Sequence, residues 1–215
     1  MRRLFIILFM SMLLLQTSDA QQMREVWLSM PDSLVGYLNK SKRIEAMDYR
    51  DMGLKLDVRN LLNGNTLVDT LTADFVSVEL TPSSLLQMKL LPREADTLVC
   101  VVKTVFGPAA DSSMEFFTTS WQRISPQPFA EGANPYSKPV SYFVVRPDTM
   151  SVERFAELSA QFEPVLLRVE MPVSGAEMSV QIEEALPLPS SLSESLKAII
   201  NRRNFKWDGQ KFIEC

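Results

Sequence analysis

The sequence predicts an α+β fold in which antiparallel β-meander sheets pack with short N-terminal helices and two later helices. Three observations carry that prediction. Apolar residues recur near every third or fourth position before Gly53, they recur at every second position from Leu54 onward, and turn residues cut the second region into short runs.

The chain opens "MRRLFIILFMSMLLLQTSDAQQ". Two arginines, an apolar stretch from Leu4 to Leu15 and small residues at Ser18 and Ala20 have the order of a secretory signal peptide. The run is shorter than the roughly 20 apolar residues a membrane-spanning helix needs, and no basic stop-transfer cluster follows it. Residues 1–20 are therefore expected to be removed, with cleavage after Ala20. No cysteine follows that site to accept a lipid, and no second apolar run approaches membrane length. The remainder, 21–215, is expected to form one α+β domain, or two lobes divided near 125–140, in a periplasmic or secreted protein.

Two short helices are expected in "SMPDSLVGYLNKSKRIEAMDYRDMG". Ser29 or Asp32 caps the first, which buries Leu34, Val35 and Leu38; Ser41 caps the second, which buries Ile44 and Met47 and stops at Gly53. From Leu54 to Trp121 a meander of about five strands follows: "LKLDVRN", "FVSVEL", "LLQMKLL", "TLVCVVKTVF" and "SMEFFTTSW". The fourth is apolar on both faces and is the expected central strand. "SPQPFAEGANPYSKP", with four prolines, is an interruption that Phe129 and Tyr136 anchor if it is an ordered crossover.

Beyond it, "SYFVV" is expected as a strand and Ser151 as the cap of a helix carrying Phe155, Leu158 and Phe162. An amphipathic hairpin follows, with Leu167, Val169, Met171, Met178, Val180 and Ile182 inward and Arg168, Glu170, Glu177, Ser179, Gln181 and Glu183 outward. A last helix takes a capping box from Ser191 to Glu194. The closing "NFKWDGQKFIEC" is expected as a hairpin on a two-residue Asp208-Gly209 turn. That register pairs Phe205 with Phe212 and Lys206 with Lys211, and it places Phe205, Trp207 and Phe212 on one buried side. These aromatics are core residues, not a ligand platform, because each buries on the order of 150 to 250 Å².

Composition excludes whole classes of chemistry. Histidine is absent, so Ser-His-Asp and Cys-His catalysis and histidine-bearing zinc sites are ruled out. Loss of the leader changes the net charge from -4 to -5 without concentrating basic residues, so no nucleic-acid partner is expected. There is no glycine-rich phosphate loop, repeated cysteine pair or calcium loop, and no cofactor, metal or catalytic residue is assigned. Asp48, Arg50 and Asp51 share a helix end and are expected to form a local ion pair. Cys100 and Cys215 are a candidate disulfide, set against two separate thiols, one buried and one terminal.

"MPDSLVGYLNKSKRIEAMDY", "SSLLQMKLLP", "FGPAADSSMEFFTTSW" and "FKWDGQKF" together resemble an uncharacterised family of exported Bacteroidales proteins known as a domain of unknown function. The likeness runs over nearly the whole mature chain; it implies a cell-envelope location and supplies no catalytic residues. Aspartate followed by Ser or Thr and an apolar residue occurs at Asp32, Asp69, Asp96 and Asp148, against about one occurrence expected by chance. The triplet resembles the O-glycosylation acceptor of exported Bacteroidetes proteins, which makes Ser33, Thr70, Thr97 and Thr149 candidate acceptors. The same dipeptides also mark turns and helix caps.

The expected function is a non-catalytic binding or assembly module of the bacterial envelope, with an envelope protein or glycan as partner. The alternative is a carboxylate-dependent hydrolase or lyase acting on glycan or peptidoglycan, which needs two acids about 5 to 9.5 Å apart. Inhibition of exported proteases has only size and secretion in its favour.

Overall fold

The computed structural model describes residues 19–186 and 188–215, so the expected signal peptide lies outside the described residues except for Asp19 and Ala20. Those two begin α1 (Asp19–Ser29), a helix that the sequence pattern did not suggest. It buries Met23, Val26 and Trp27, spaced by three and one as a helical face requires. The helix expected over Leu34 to Leu38 is instead a 3-10 turn, Asp32–Leu34, followed by a second turn closed by the Leu38 N–H on the Val35 carbonyl at 3.0 Å. Arg43 explains the difference. Its buried guanidinium donates to the Leu38 carbonyl at 2.7 Å and the Met30 carbonyl, and it pairs with Asp32 at 2.9 Å. Those bonds claim carbonyls of this segment for a side chain.

α2 (Lys40–Asp51) is capped by Asn39, not Ser41: the Asn39 side chain accepts from the Lys42 N–H at 3.1 Å. Met47 is buried as expected, whereas Ile44 is exposed because Arg43 and Ala46 take the inward positions. Gly53, at φ +71°, ends the helix and donates to the Arg50 carbonyl at 2.9 Å.

The meander has six strands: β1 (Val58–Arg59), β2 (Asn65–Leu71), β3 (Phe75–Thr81), β4 (Ser84–Pro92), β5 (Thr97–Phe106) and β6 (Ala110–Thr118), in sequential antiparallel order. Only Val58–Arg59 of "LKLDVRN" joins the ladder, and "NTLVDTL" supplies the strand that the pattern did not mark. The second sheet, in the order β10-β9-β8-β7, contains β7 (Leu166–Glu170), β8 (Glu177–Glu183), β9 (Arg203–Trp207) and β10 (Phe212–Glu214). The expected amphipathic hairpin is β7–β8, with Leu167 opposite Ile182 and Val169 opposite Val180.

The first sheet is covered on both sides. Val76, Val78, Leu86, Met88, Val99 and Val101 pack with α1 and α2, while Leu98, Cys100, Val102, Met114 and Phe116 pack with the second sheet. Strand β5 is central in the expected sense, contributing to both cores.

Between the sheets runs the proline-rich crossover. Phe129 lies 6.0 Å from Phe116, 5.8 Å from Phe205 and 5.7 Å from Phe212, measured between ring centroids. Tyr136 donates its hydroxyl to the Ser112 carbonyl at 2.7 Å. "SYFVV" is not a strand: Val140–Phe143 form a short helix, α3, and only Val144 makes a single bridge, to Ile200. Docking overrides the alternation here, because Asn201 donates to the Phe143 carbonyl at 2.7 Å and Arg203 donates to the Tyr142 carbonyl at 2.8 Å. α4 (Val152–Ser159) is capped by Ser151 as expected. α5 (Ser190–Lys197) starts behind Pro189, so the Ser191–Glu194 capping box does not form. Among the described residues the short α3 thus joins the two later helices expected, α4 and α5.

The closing hairpin differs in register. Trp207 opposes Phe212, Lys206 opposes Ile213 and Phe205 opposes Glu214, which leaves a four-residue loop, 208–211. The Asp208 carboxylate accepts from the Gln210 and Lys211 N–H groups, both at 2.8 Å, and Gly209 sits at φ +100°. Those two bonds fold Gln210 and Lys211 into the turn, where the Lys211 carbonyl accepts from the Asp208 N–H at 3.1 Å instead of Lys211 standing opposite Lys206. Phe205, Trp207 and Phe212 are still buried together.

Lys89 and Trp207 pin one sheet to the other. The Lys89 ammonium, 3% exposed, pairs with Asp74 at 2.9 Å and donates to the Val173 carbonyl at 2.8 Å in the β7–β8 loop. Trp207 Nε1 donates to the Pro92 carbonyl at 2.8 Å. Lys89→Met keeps the buried chain but leaves the Val173 carbonyl unpaired, and it is expected to lower the unfolding free energy in urea by about 1–3 kcal/mol. An unchanged urea midpoint would show that this link contributes nothing to stability.

Candidate functional site

A cleft of about 550 Å³ opens where the Ser84 end of β4 and the Phe106 end of β5 meet the second sheet. Leu85, Gln87, Thr104 and Phe106 line it from the first sheet; Arg168, Glu170, Glu177, Ser179, Arg202, Asn204 and Cys215 line it from the second. These side chains sit at fixed heights because strand pairing sets them: Glu170 opposes Ser179, Ser179 opposes Asn204, and Leu85 opposes Thr104.

Three of the four charged side chains in the cleft answer one another. Glu170 holds Arg168 at 2.8 Å through one carboxylate oxygen and Arg202 at 3.3 Å through the other. Arg202 also donates to Gln181 Oε1 at 3.0 and 2.8 Å. Beneath them Ser112 ties the two sheets, sharing a hydroxyl bond with Thr104 at 2.8 Å and accepting from the Val169 N–H at 3.0 Å. Among the described residues no group of three or more Cys, Asp or Glu side chains has the spacing of a metal site.

The helix end at Asp48, Arg50 and Asp51 is a structural fastening. Asp51 forms a two-pronged pair with Arg24 of α1 at 2.7 and 2.6 Å, and that hydrogen bonding holds its carboxyl below the ordinary aspartate range. Arg50 donates to the Leu71 carbonyl at 3.2 Å on the outer edge of β2. Asp48 is exposed. The two acids are engaged differently and do not make a proton-sharing pair. A recess of about 300 Å³, lined by Ala46, Arg50, Leu54, Leu56 and Val68, lies beside them.

The two thiols are separate. Cys100 is wholly buried between Leu98 and Val102, where desolvation pushes its pKa up, and Cys215 is exposed; neither is in a disulfide. The candidate Cys100–Cys215 bond is therefore not formed in this structure. Of the candidate acceptor residues, Ser33 and Thr149 are exposed, while Thr70 and Thr97 are half-buried at strand positions. Three of the preceding aspartates are engaged: Asp32 with Arg43, Asp69 with Lys55 at 2.6 Å, and Asp96 with Arg93 at 2.5 Å.

The sequence pattern did not single out this cleft. Arg168, Glu170, Glu177 and Ser179 were legible as outward positions of a hairpin, but their meeting with Gln87 and Phe106 depends on how two sheets dock, which no local period encodes.

The chain belongs to a family whose model is described as "Protein of unknown function (DUF3256)" and matches residues 15–212. It is also similar to a solved structure, a domain of an uncharacterized protein from Porphyromonas gingivalis W83, with a TM-score of 0.70 at 19% identity over 90% of this chain and 98% of that chain. At that identity the likeness is one of fold. No curated protein matches.

In the native protein, a thiol reagent is expected to modify Cys215 quickly and Cys100 only after denaturation, giving one rapid equivalent and then a second. Two rapid equivalents would contradict the burial of Cys100. Asp51, Asp69, Asp96 and Asp208 all have carboxyls held below their ordinary range by hydrogen bonds. Groups depressed in the folded state stabilise it above their unfolded pKa, near 3.9, and lose that contribution as pH falls through the folded value. Urea midpoints are expected to hold from pH 7 to about 5 and to drop below about 4, with the drop reduced in Asp51→Asn.

Proposed function

We propose, taking membership in a family of unknown function as the premise, that this protein is a non-catalytic binding or assembly module of the bacterial cell envelope, working in the periplasm or as a secreted protein. The observation that carries the reading is the state of the cleft's central acid. Glu170 is held between Arg168 and Arg202. With a guanidinium on each of its oxygens, this carboxylate is engaged as an ion pair, whereas a glycosidase needs two acids free to flank the scissile bond. The cleft's side chains stand on paired strands, which suits recognition.

The leader-like opening sequence supports export. Met23, the first buried side chain among the described residues, lies beyond Ala20.

Protein recovered from an envelope fraction is expected to begin at Gln21. When purified and incubated with peptidoglycan or envelope polysaccharide, it is expected to release no soluble fragments by mass spectrometry. Recovery of the full-length chain from the cytoplasm would contradict the location. Fragment release that disappears in Glu170→Gln would instead establish the hydrolase.

A further inference from the structure

The cleft beside Glu170 has the chemistry of a sugar site. We infer that it takes a short neutral oligosaccharide, an inference that rests on the binding-module reading and names its ligand class.

Four observations converge on it. The amides of Gln87 and Asn204 and the hydroxyl of Ser179 line the cleft, and among the described residues their side chains make no hydrogen bond. Each amide presents two donors and an acceptor, and the hydroxyl presents both kinds, which is the complement that sugar hydroxyls require. Phe106, at 39% exposure on the cleft wall, offers an aromatic surface of the sort that is normally buried. The C–H face of a pyranose ring is a matching apolar surface. The ionic side chains of the lining are two arginines, Arg168 and Arg202, and two acids, Glu170 and Glu177, so they supply no excess of positive charge to attract a polyanion. Its volume of about 550 Å³ falls within the ordinary range for small-ligand sites.

An extended peptide is the competing occupant, and the backbone disfavours it. Strand addition needs a row of free edge groups. On β7, the Leu167 and Val169 N–H groups are already taken by Asp111 and Ser112 at 3.3 and 3.0 Å. On β9, the Asn204 carbonyl is taken by the Cys215 N–H at 3.0 Å. A ligand in this cleft meets side chains, and the unpartnered ones are those that bind hydroxyl groups.

The test uses the purified chain with maltotriose, cellotriose, mannotriose and chitotriose, followed by saturation-transfer NMR and calorimetry. At least one trisaccharide is expected to bind with Kd between micromolar and millimolar, corresponding to about 8 to 4 kcal/mol. Phe106→Ala and Asn204→Ala are each expected to weaken it at least tenfold; both side chains are exposed, so urea midpoints should stay at the wild-type value. The inference is overturned if no trisaccharide binds, or if binding persists in both variants. Binding of a peptide library at the cleft without any sugar would overturn the ligand class and leave the module reading standing. Cleavage of a bound trisaccharide would do the reverse, keeping the sugar site and ending the non-catalytic reading.

Discussion

The outer edge of β6 is the seam on which the rest of the structure depends. A strand at the end of a sheet has carbonyl and N–H groups that must be satisfied if they are to be buried. Here the carbonyls at alternate residues find three different partners: the Tyr136 hydroxyl at Ser112, the Gln127 side-chain amide at Met114, and the Ile124 N–H at Phe116, all within 2.7–2.8 Å. The same crossover then exchanges backbone bonds with β10, Phe212 donating to Pro128 and Ala130 donating to Phe212. One proline-rich segment thereby closes an edge of each sheet and inserts Phe129 between them. Proline suits this task because a segment held through side chains and occasional backbone bonds has no need of a continuous ladder.

Given that seam, the second sheet can lie only where its apolar face meets Leu98, Cys100, Val102 and Phe116. Much of this was legible along the chain. Alternation in β3, β4 and β7–β8 identified their inward sides, and the doubly apolar stretch of β5 identified the strand with a core on each side. Burial of one face fixes a strand's orientation, because a slip of one residue would turn the whole face to water. The closing aromatics were legible for the same reason.

The elements that departed from expectation did so where a side chain or a distant element competed with local pattern. Arg43 took carbonyls of the segment expected as a helix. Asp208 took two N–H groups that a tighter turn would have paired across the strands. Val140–Phe143 became helical because the segment after α5 binds its carbonyls. α1 was obscured because it starts at Asp19, inside the segment read as the end of a leader, so Met23, Val26 and Trp27 were not read as a helical face. Asp208 acts within three residues, but the other competitors are not visible in a window of a few residues. The cleft was illegible for a related reason, since Gln87 and Asn204 are 117 positions apart in sequence.

Closure of the edges also shapes what the molecule can recognise. Strands β6, β7 and β10 all have edge groups engaged by side chains or by the crossover. Even β2, whose pairing with β1 spans only two residue pairs, has its Leu71 carbonyl occupied by Arg50. With ladder extension blocked at these strands, a ligand of the proposed binding module would meet side chains whose positions the sheets hold fixed. The cleft that those side chains surround lies between the two sheets, so its shape depends on the β6 seam through Ser112, which binds Thr104 in one wall and the Val169 N–H in the other. A cleft built this way is preformed and loses little freedom when filled, which is the condition under which a few amides, a hydroxyl and one aromatic ring suffice for selective binding.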